Sequence, residues 1–331
     1  MKLVVKKLVT ILNYYDLIAE ISFLSQCLAY HYLGDVKRAC SEAIFLESML
    51  DESSEGEIWV AMDEGRPKGL LRLKSLPWDS AILCHPAFKI SHLETFNASF
   101  IESEAILTAL LDVCLGHLKQ FPSAHCHTRI PSSAVDIKKP LAMAGFSKIE
   151  NLNTYGARLS DIKMFVDTYK TSSLEIRPIR SDDVNWARQL SKNAVNPNDR
   201  FHADMSLSGH ADDFMEGWID GCLSGYCDNN FMASVDGQPA GFALWQSGEE
   251  ESDSLGVQIA QLALGAVSKN FSGLGIHKAL VAHGCEYFAD HGADFVVMPT
   301  QAENFAAIRS MNVLGWDLLK QESTWSIGFG F

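Results

Sequence analysis

Apolar and polar positions along this chain follow two periods, and stretches of each alternate. Residues 174–179 alternate apolar with polar, which predicts a strand. Residues 231–235 and 240–246 predict two more, joined as a hairpin about Asp236-Gly237, a strong turn pair. The apolar runs 259–267 and 295–300 predict central strands. After the first run, Ala279, Leu280, Val281, Gly284, Tyr287 and Phe288 recur at helical spacing. Ser181 reads as a helix N-cap with Asp182 and Asp183 in the first turn. In the first half the pattern predicts helices near 14–30, 35–50, 101–120 and 134–144, and strands near 57–62, 68–75, 124–130 and 152–159. Residues 161–173 bridge the halves. The opening residues 1–8 read as a first strand or an amphipathic helix, because their apolar stretch ends at Asn13 and Asp16 without a small-residue cleavage site.

The pattern repeats at an offset of 170 residues. Leu110 corresponds to Leu280, Gly145-Phe146 to Gly315-Trp316, and Thr154-Tyr155 to Thr324-Trp325. Each half reads helix, strand, helix, Gly-aromatic, strand, so a duplication is expected.

The copies differ at one place. After the run 259–267 the second half has Ser272-Gly273-Leu274-Gly275-Ile276-His277, a glycine loop between strand and helix. Glycine lets backbone come close to a ligand and takes positive φ. The helix that follows offers unbonded N–H groups and the positive end of its dipole, so the loop suits a phosphate. The matching first-half residues include Glu102, Ser103, Glu104 and Ala105, so Ser103 and Ala105 replace both glycines and two carboxylates stand beside them. The first copy is therefore expected to keep the architecture without the phosphate site.

Beyond the loop come Thr300-Gln301-Ala302-Glu303-Asn304-Phe305-Ala306-Ala307 and then Leu314-Gly315-Trp316. Strand, glycine loop and helix, then a strand ending near an Asn, a helix and a Gly-aromatic pair, together resemble the GNAT N-acetyltransferase family over residues 174–331. The resemblance implies a mixed α+β fold of two tandem GNAT-like domains, each a mostly antiparallel central sheet flanked by helices. Residues 1–165 would be the copy without a cofactor loop, and 174–331 the copy that binds acetyl-CoA. It implies that Ser272, Gly273, Leu274, Gly275, Ile276 and His277 hold the pyrophosphate. Leu264, Ala266 and Val267 would run beside the pantetheine arm, with Asn304 and Ala307 close to it. Two further segments, 76–80 (Leu-Pro-Trp-Asp-Ser) and 200–204 (Arg-Phe-His-Ala-Asp), are similar to those of sugar-nucleotide N-acetyltransferases such as dTDP-fucosamine acetyltransferase. That likeness implies an acceptor amine on a nucleotide-linked 4-amino-4,6-dideoxy sugar, held by Arg200, Phe201 and Asp204. The plain reading of Arg200 and Asp204 is an i,i+4 surface pair.

The general acid is the weak point. The family's usual Tyr falls seven residues after the Asn, and here that position is Met311. Ser310, Tyr287 and Glu303 are the remaining candidates for proton transfer. A binding or scaffold protein with weak or no catalysis is therefore a rival reading. Another rival keeps the chemistry and makes the acceptor a polyamine, an amino acid or a peptide amine.

Charge narrows the partners. The chain of 331 residues has a formal net charge of −14, and 47% of it is hydrophobic. Residues from Thr171 onward carry a net charge of −12 and the rest −2. An acidic half repels nucleic acid and attracts a cationic amine. A nucleotide sugar is itself anionic, so Arg177, Arg180, Arg188, Arg200 and Arg309 would have to gather into one positive patch to bind it. No apolar run approaches the ~20 residues that span a bilayer. Eight cysteines without a CxxC pair suggest reduced, buried thiols in the cytoplasm. His125-Cys126-His127 places two metal-type ligands on one face of a strand, but metal sites need three or four, and no metal is expected. A homodimer is compatible with all of this.

Overall fold

The computed structural model describes residues 2–7, 32–34, 36–50, 55–96, 98–162, 173–193, 199–247 and 255–330. The helix expected near 14–30 and most of the bridge 161–173 lie outside these residues.

Twelve strands form one sheet. In chain order they are β1 (Leu3–Lys7), β2 (Gly56–Asp63), β3 (Arg66–Ser75), β4 (Ala87–Thr95), β5 (Ala124–Pro131) and β6 (Ser147–Arg158) in the first half. The second half has β7 (Leu174–Pro178), β8 (Asn229–Val235), β9 (Gln238–Gln246), β10 (Ile259–Val267), β11 (Phe295–Gln301) and β12 (Asp317–Phe329). The order across the sheet is β1-β2-β3-β4-β5-β12-β6-β11-β10-β9-β8-β7. Pairing is antiparallel except at β4–β5 and β10–β11. The opening segment is thus a strand, and the 231–246 hairpin turns at Asp236 (φ 50°) and Gly237 (φ 75°), the conformation its dipeptide favours.

The order shows how the halves are joined. Each half contributes five strands to its own side, and its sixth crosses the midline. β12 lies between β5 and β6, and β6 lies between β12 and β11. Leu152 pairs with both Glu322 and Gln301, and Glu322 also pairs with Pro131. Leu152 and Glu322 are 170 residues apart, so the repeat seen in the sequence is a two-fold relation with its axis between β6 and β12.

Two apolar cores flank this midline. One packs β2–β5 against the helices Phe100–Leu118 and Val135–Met143. The other packs β8–β11 against the helices Ile276–Asp290 and Phe305–Val313. These helices cover the same face of the sheet in each half. Other helices, several of them short, cover the opposite face, among them Arg38–Leu50, Pro77–Leu83, Arg200–Ala203 and Ala211–Gly221.

One local expectation changes. Ser181 does not cap a helix but opens the short 3-10 turn Ser181–Asp183. Asp183 supplies the cap, because its carboxylate accepts the Arg180 N–H (2.8 Å) and both Arg177 guanidinium nitrogens (2.6 and 3.0 Å). A charged acceptor bound three ways outcompetes a hydroxyl. The first-half residues opposite the glycine loop are helical, as the pattern near 101–120 predicts. They lie inside the helix Phe100–Leu118, which begins four residues after β4, whereas eight residues separate β10 from the helix Ile276–Asp290. Without glycines to take positive φ, that stretch continues as helix.

Candidate functional site

β10 and β11 are hydrogen-bonded in parallel only from Ile259 to Gln261 and from Phe295 to Val297, and then they part. Against β9 the register of β10 slips between Leu262 and Leu264, so Ala263 is an extra residue. A bulge leaves that residue's backbone groups out of the ladder and bends the strand. The result is a wedge between two strands, with unbonded main chain along one wall. Leu264 and Ala266 turn toward the helices on the short-helix face, while Val267 packs on the side of Ile276–Asp290.

The glycine loop lies at the open end of this wedge. Gly273 (φ 80°) and Gly275 (φ 78°) hold conformations that L side chains avoid. Gly275 is the N-cap of Ile276–Asp290 and places no side chain over its first turn. The helical ladder begins with the Ala279 N–H bonded to the Gly275 carbonyl (3.0 Å). Backbone N–H groups from Gly273 through His277 are therefore positioned to meet an anion. Leu274 is exposed at the tip of the loop.

His277 points inward and lies against Gly265 of β10. Burial lowers its pKa to about 4, so it is neutral and lends no charge to a phosphate. Its Nδ1 is buried without a hydrogen-bond partner among the described residues. An orphaned polar atom beside the wedge, an uncapped helix and a bulged strand fit a diphosphate-linked thioester such as acetyl-CoA.

Asn304 ends the turn after β11 and caps Phe305–Val313. Its Oδ1 accepts the Ala307 N–H (3.3 Å), and its Nδ2 donates to Thr300 Oγ1 (3.0 Å). Thr300 pairs with Asn153 of β6, so a first-half strand forms part of this wall. Glu303 is exposed beside it and accepts a hydrogen bond from Asn151 (3.5 Å).

The proton-transfer candidates are not gathered here. Met311 is fully buried in the second-half core. Ser310 donates to the Ala306 carbonyl one helical turn back (3.1 Å). Tyr287 stacks on His291 (4.0 Å) and meets Phe231 edge-on. Eleven residues from Ile276, it lies about 16 Å down the helix from the loop.

The first half carries the same wedge. β4 and β5 are paired from Ala87 to Ile90 and from His125 to Thr128, and Ser91 is the extra residue in β4. The loop end differs. Ser99 and Glu102 form a reciprocal capping box, in which Glu102 accepts the Ser99 N–H (2.8 Å) and Ser99 accepts the Glu102 N–H (3.4 Å). Glu104 pairs with Lys139 (2.6 Å). A carboxylate of the chain itself occupies the place of an anion.

Segments 76–80 and 200–204 meet over the first-half wedge. Arg200 reaches Asp79 (3.5 Å) and His127 Nε2 (3.1 Å), and Asp204 meets His125 Nε2 (3.2 Å). Arg200 and Asp204 are therefore not a surface pair. Burial pushes the Asp204 carboxyl up, but hydrogen bonds from His125, Ser206 and Ser326 outweigh it and bring the pKa to about 2. The Nε2 of each histidine is taken by these partners, and no group of three or more potential metal ligands exists among the described residues. Phe201 turns the other way and stacks on Phe214 (4.5 Å), in an apolar cluster that reaches Leu264. The short helix Arg200–Ala203 thus lies between the two wedges. Sequence spacing could not show this convergence, because Asp79, His125 and Arg200 come from three separate elements.

The five arginines form no single patch. Arg177 is bound to Asp183 and Arg188 to Asp220 (2.6 Å), while Arg309 is exposed on Phe305–Val313.

Residues 199–316 match the model of the acetyltransferase (GNAT) family. No curated protein matches the chain. Among solved structures, the GCN5-related glucosamine N-acetyltransferase region of a fungal multi-domain GH3 β-N-acetylglucosaminidase superposes with a TM-score of 0.64 at 12% identity. The likeness covers 98% of this chain and 38% of that longer one. A tandem GNAT protein from the clavulanic acid biosynthesis pathway gives 0.55 at 13% identity, over 99% of this chain and 98% of that one. A GCN5-related N-acetyltransferase from Sphaerobacter thermophilus gives 0.55 at 12% identity, over 98% and 95%. At these identities the likeness is one of fold.

Proposed function

We propose that the protein transfers an acetyl group from acetyl-CoA to the amine of a small molecule, and that its second half, where residues 199–316 match the acetyltransferase (GNAT) family, does so. The observation that carries this reading is the bulged, splayed β10–β11 pair opening onto an uncapped glycine-loop helix. When bound, the cofactor supplies an acetyl thioester. Main-chain N–H groups of residues 273–277 hold its diphosphate. Main chain freed at Ala263 is available to bond the arm and the thioester carbonyl. Asn304, already fixed by Ala307 and Thr300, keeps the β11 wall in place beside it. The leaving thiol has a pKa near ~8.5, so it departs tolerably as thiolate without an acid.

We further propose a nucleotide-linked 4-amino-4,6-dideoxy sugar as acceptor. Support comes from the meeting of Arg200 with Asp79, which joins the two segments that carry that likeness. The scattered arginines count against it, and a polyamine, amino acid or peptide amine remains the alternative. Met311, buried where a Tyr would donate a proton, favours a second reading as an acyl-CoA-binding protein with little catalysis. Free-thiol release from acetyl-CoA, followed across a panel of these amines, tests the set. Release with one amine class supports transfer to it. Tight cofactor binding with no release from any amine would replace transfer by the second reading.

A further inference from the structure

The short-helix face of the first-half wedge concentrates positive charge inside an acidic protein. Phe88 and Ile90 of β4, and Cys126 and Ile130 of β5, point into the core beneath Phe100–Leu118. Alternation therefore puts Lys89, His127 and Arg129 on the opposite face. Leu71 and Leu73 do the same for β3, which sends Arg72 and Lys74 to that face as well. Lys74 and Lys89 are directly opposite in register, and Lys89 is in turn opposite His127. Like charges directly opposite on a sheet repel. Arg200 enters the same space from above, through His127.

The carboxylates nearby are mostly committed. Asp79 faces Arg200 (3.5 Å), Glu150 faces Arg129 (3.5 Å) and accepts from Thr324 (2.9 Å), and Glu322 faces Lys320 (2.9 Å). Among the described residues the Lys89 ammonium has no hydrogen-bond or ion-pair partner. His127 Nδ1 is buried and likewise without a hydrogen bond. Burial, then the charges of Arg129 and Arg200, lowers the Lys89 pKa to about 8 against the opposing pull of Glu322.

We propose that the first-half wedge is a binding site for a phosphate-bearing small molecule, held by Lys89 and Arg129 with Lys74 and Arg200 at its margins. The duplicated copy has then exchanged one anion site for another. Its glycine loop is replaced by a self-capped helix, and its cations have gathered on the opposite face. This site stands whether or not the second half transfers acetyl groups.

Titration calorimetry of the full chain with inorganic pyrophosphate, and separately with inorganic phosphate, tests it. Coenzyme A is kept saturating so that the glycine loop is filled. The expected result is one anion bound per chain, weakened tenfold or more in Lys89→Gln and in Arg129→Gln, and unchanged in Lys269→Gln beside the glycine loop. Tighter binding of pyrophosphate than phosphate would identify a diphosphate ligand, and the reverse a monoester. Pyrophosphate should also raise the melting temperature of the wild type and leave that of Lys89→Gln where it was. Without anion, Lys89→Gln should melt no lower than the wild type, since it removes a repulsion. Absence of anion binding, or equal binding in both wedge variants, would overturn the proposal.

Discussion

Single residues decide what each wedge can hold. Ser272 sits in the glycine loop with ordinary extended backbone (φ −62°, ψ 144°), so a substitution there changes charge without strain. Gly275, at φ 78°, would mix the two effects. Ser272→Glu is expected to weaken coenzyme A binding at least tenfold, about 1.4 kcal/mol, with Ser272→Gln close to wild type by calorimetry. Equal affinities would remove the loop from the site. Gly284 shows a different constraint. A Cβ there would lie 2.4 Å from two indole carbons of fully buried Trp245. Gly284→Ala gains about 1 kcal/mol of helix propensity and loses about 1–3 kcal/mol to overpacking. A net loss in urea unfolding is the expected outcome.

Elements, rather than residues, account for the first half's divergence. Both copies keep the bulge, at Ser91 and Ala263, and both keep the splay. They differ in where the next helix starts, and that follows from two glycines. The exchanged strands have a consequence of their own. Without β6, strands β11 and β12 lose the strand that lies between them, and without β12 the same holds for β5 and β6. Unpaired interior edges are unstable and prone to aggregate. Residues 1–162 and 173–331 expressed separately are expected to be poorly soluble or unfolded, and to recover cooperative unfolding when co-expressed. Independent two-state unfolding of either piece, seen by circular dichroism, would show that the exchange is dispensable.

Across the whole molecule, buried histidines set the response to acid. Burial, followed by the charges of Lys74, Arg72 and Lys89, lowers the His92 pKa to about 3. Burial alone brings His277 to about 4, and burial with Arg200 holds His127 well below the usual range. The unfolded chain protonates all three near pH ~6.5. Below that pH the unfolded state binds more protons, so stability is full above pH ~6.5 and falls as pH drops toward ~4. Each group contributes at most ~1.4 kcal/mol per pH unit. Asp79 works the other way, since burial raises its carboxyl above the usual value. A urea midpoint clearly lower at pH 5 than at pH 7.5 is expected, and an unchanged midpoint would mean these rings are not buried in solution.

The glycine loop, the hairpin at Asp236-Gly237, the central strands and the 170-residue repeat were legible in the sequence. All depend on residue type at short range, on φ preferences and on apolar period. The joining of β6 to β12, the capping role of Asp183 and the gathering of Lys89, Arg129 and Arg200 were not legible. Strand pairing across the midline brings together residues as far apart as Ala124 and Phe329, and nothing local records that choice. Sequence thus determined which half carries a glycine loop at the start of its helix. Only the tertiary structure decided that the other half faces its positive charges into a wedge, because charges on separate strands become neighbours only when the sheet is assembled.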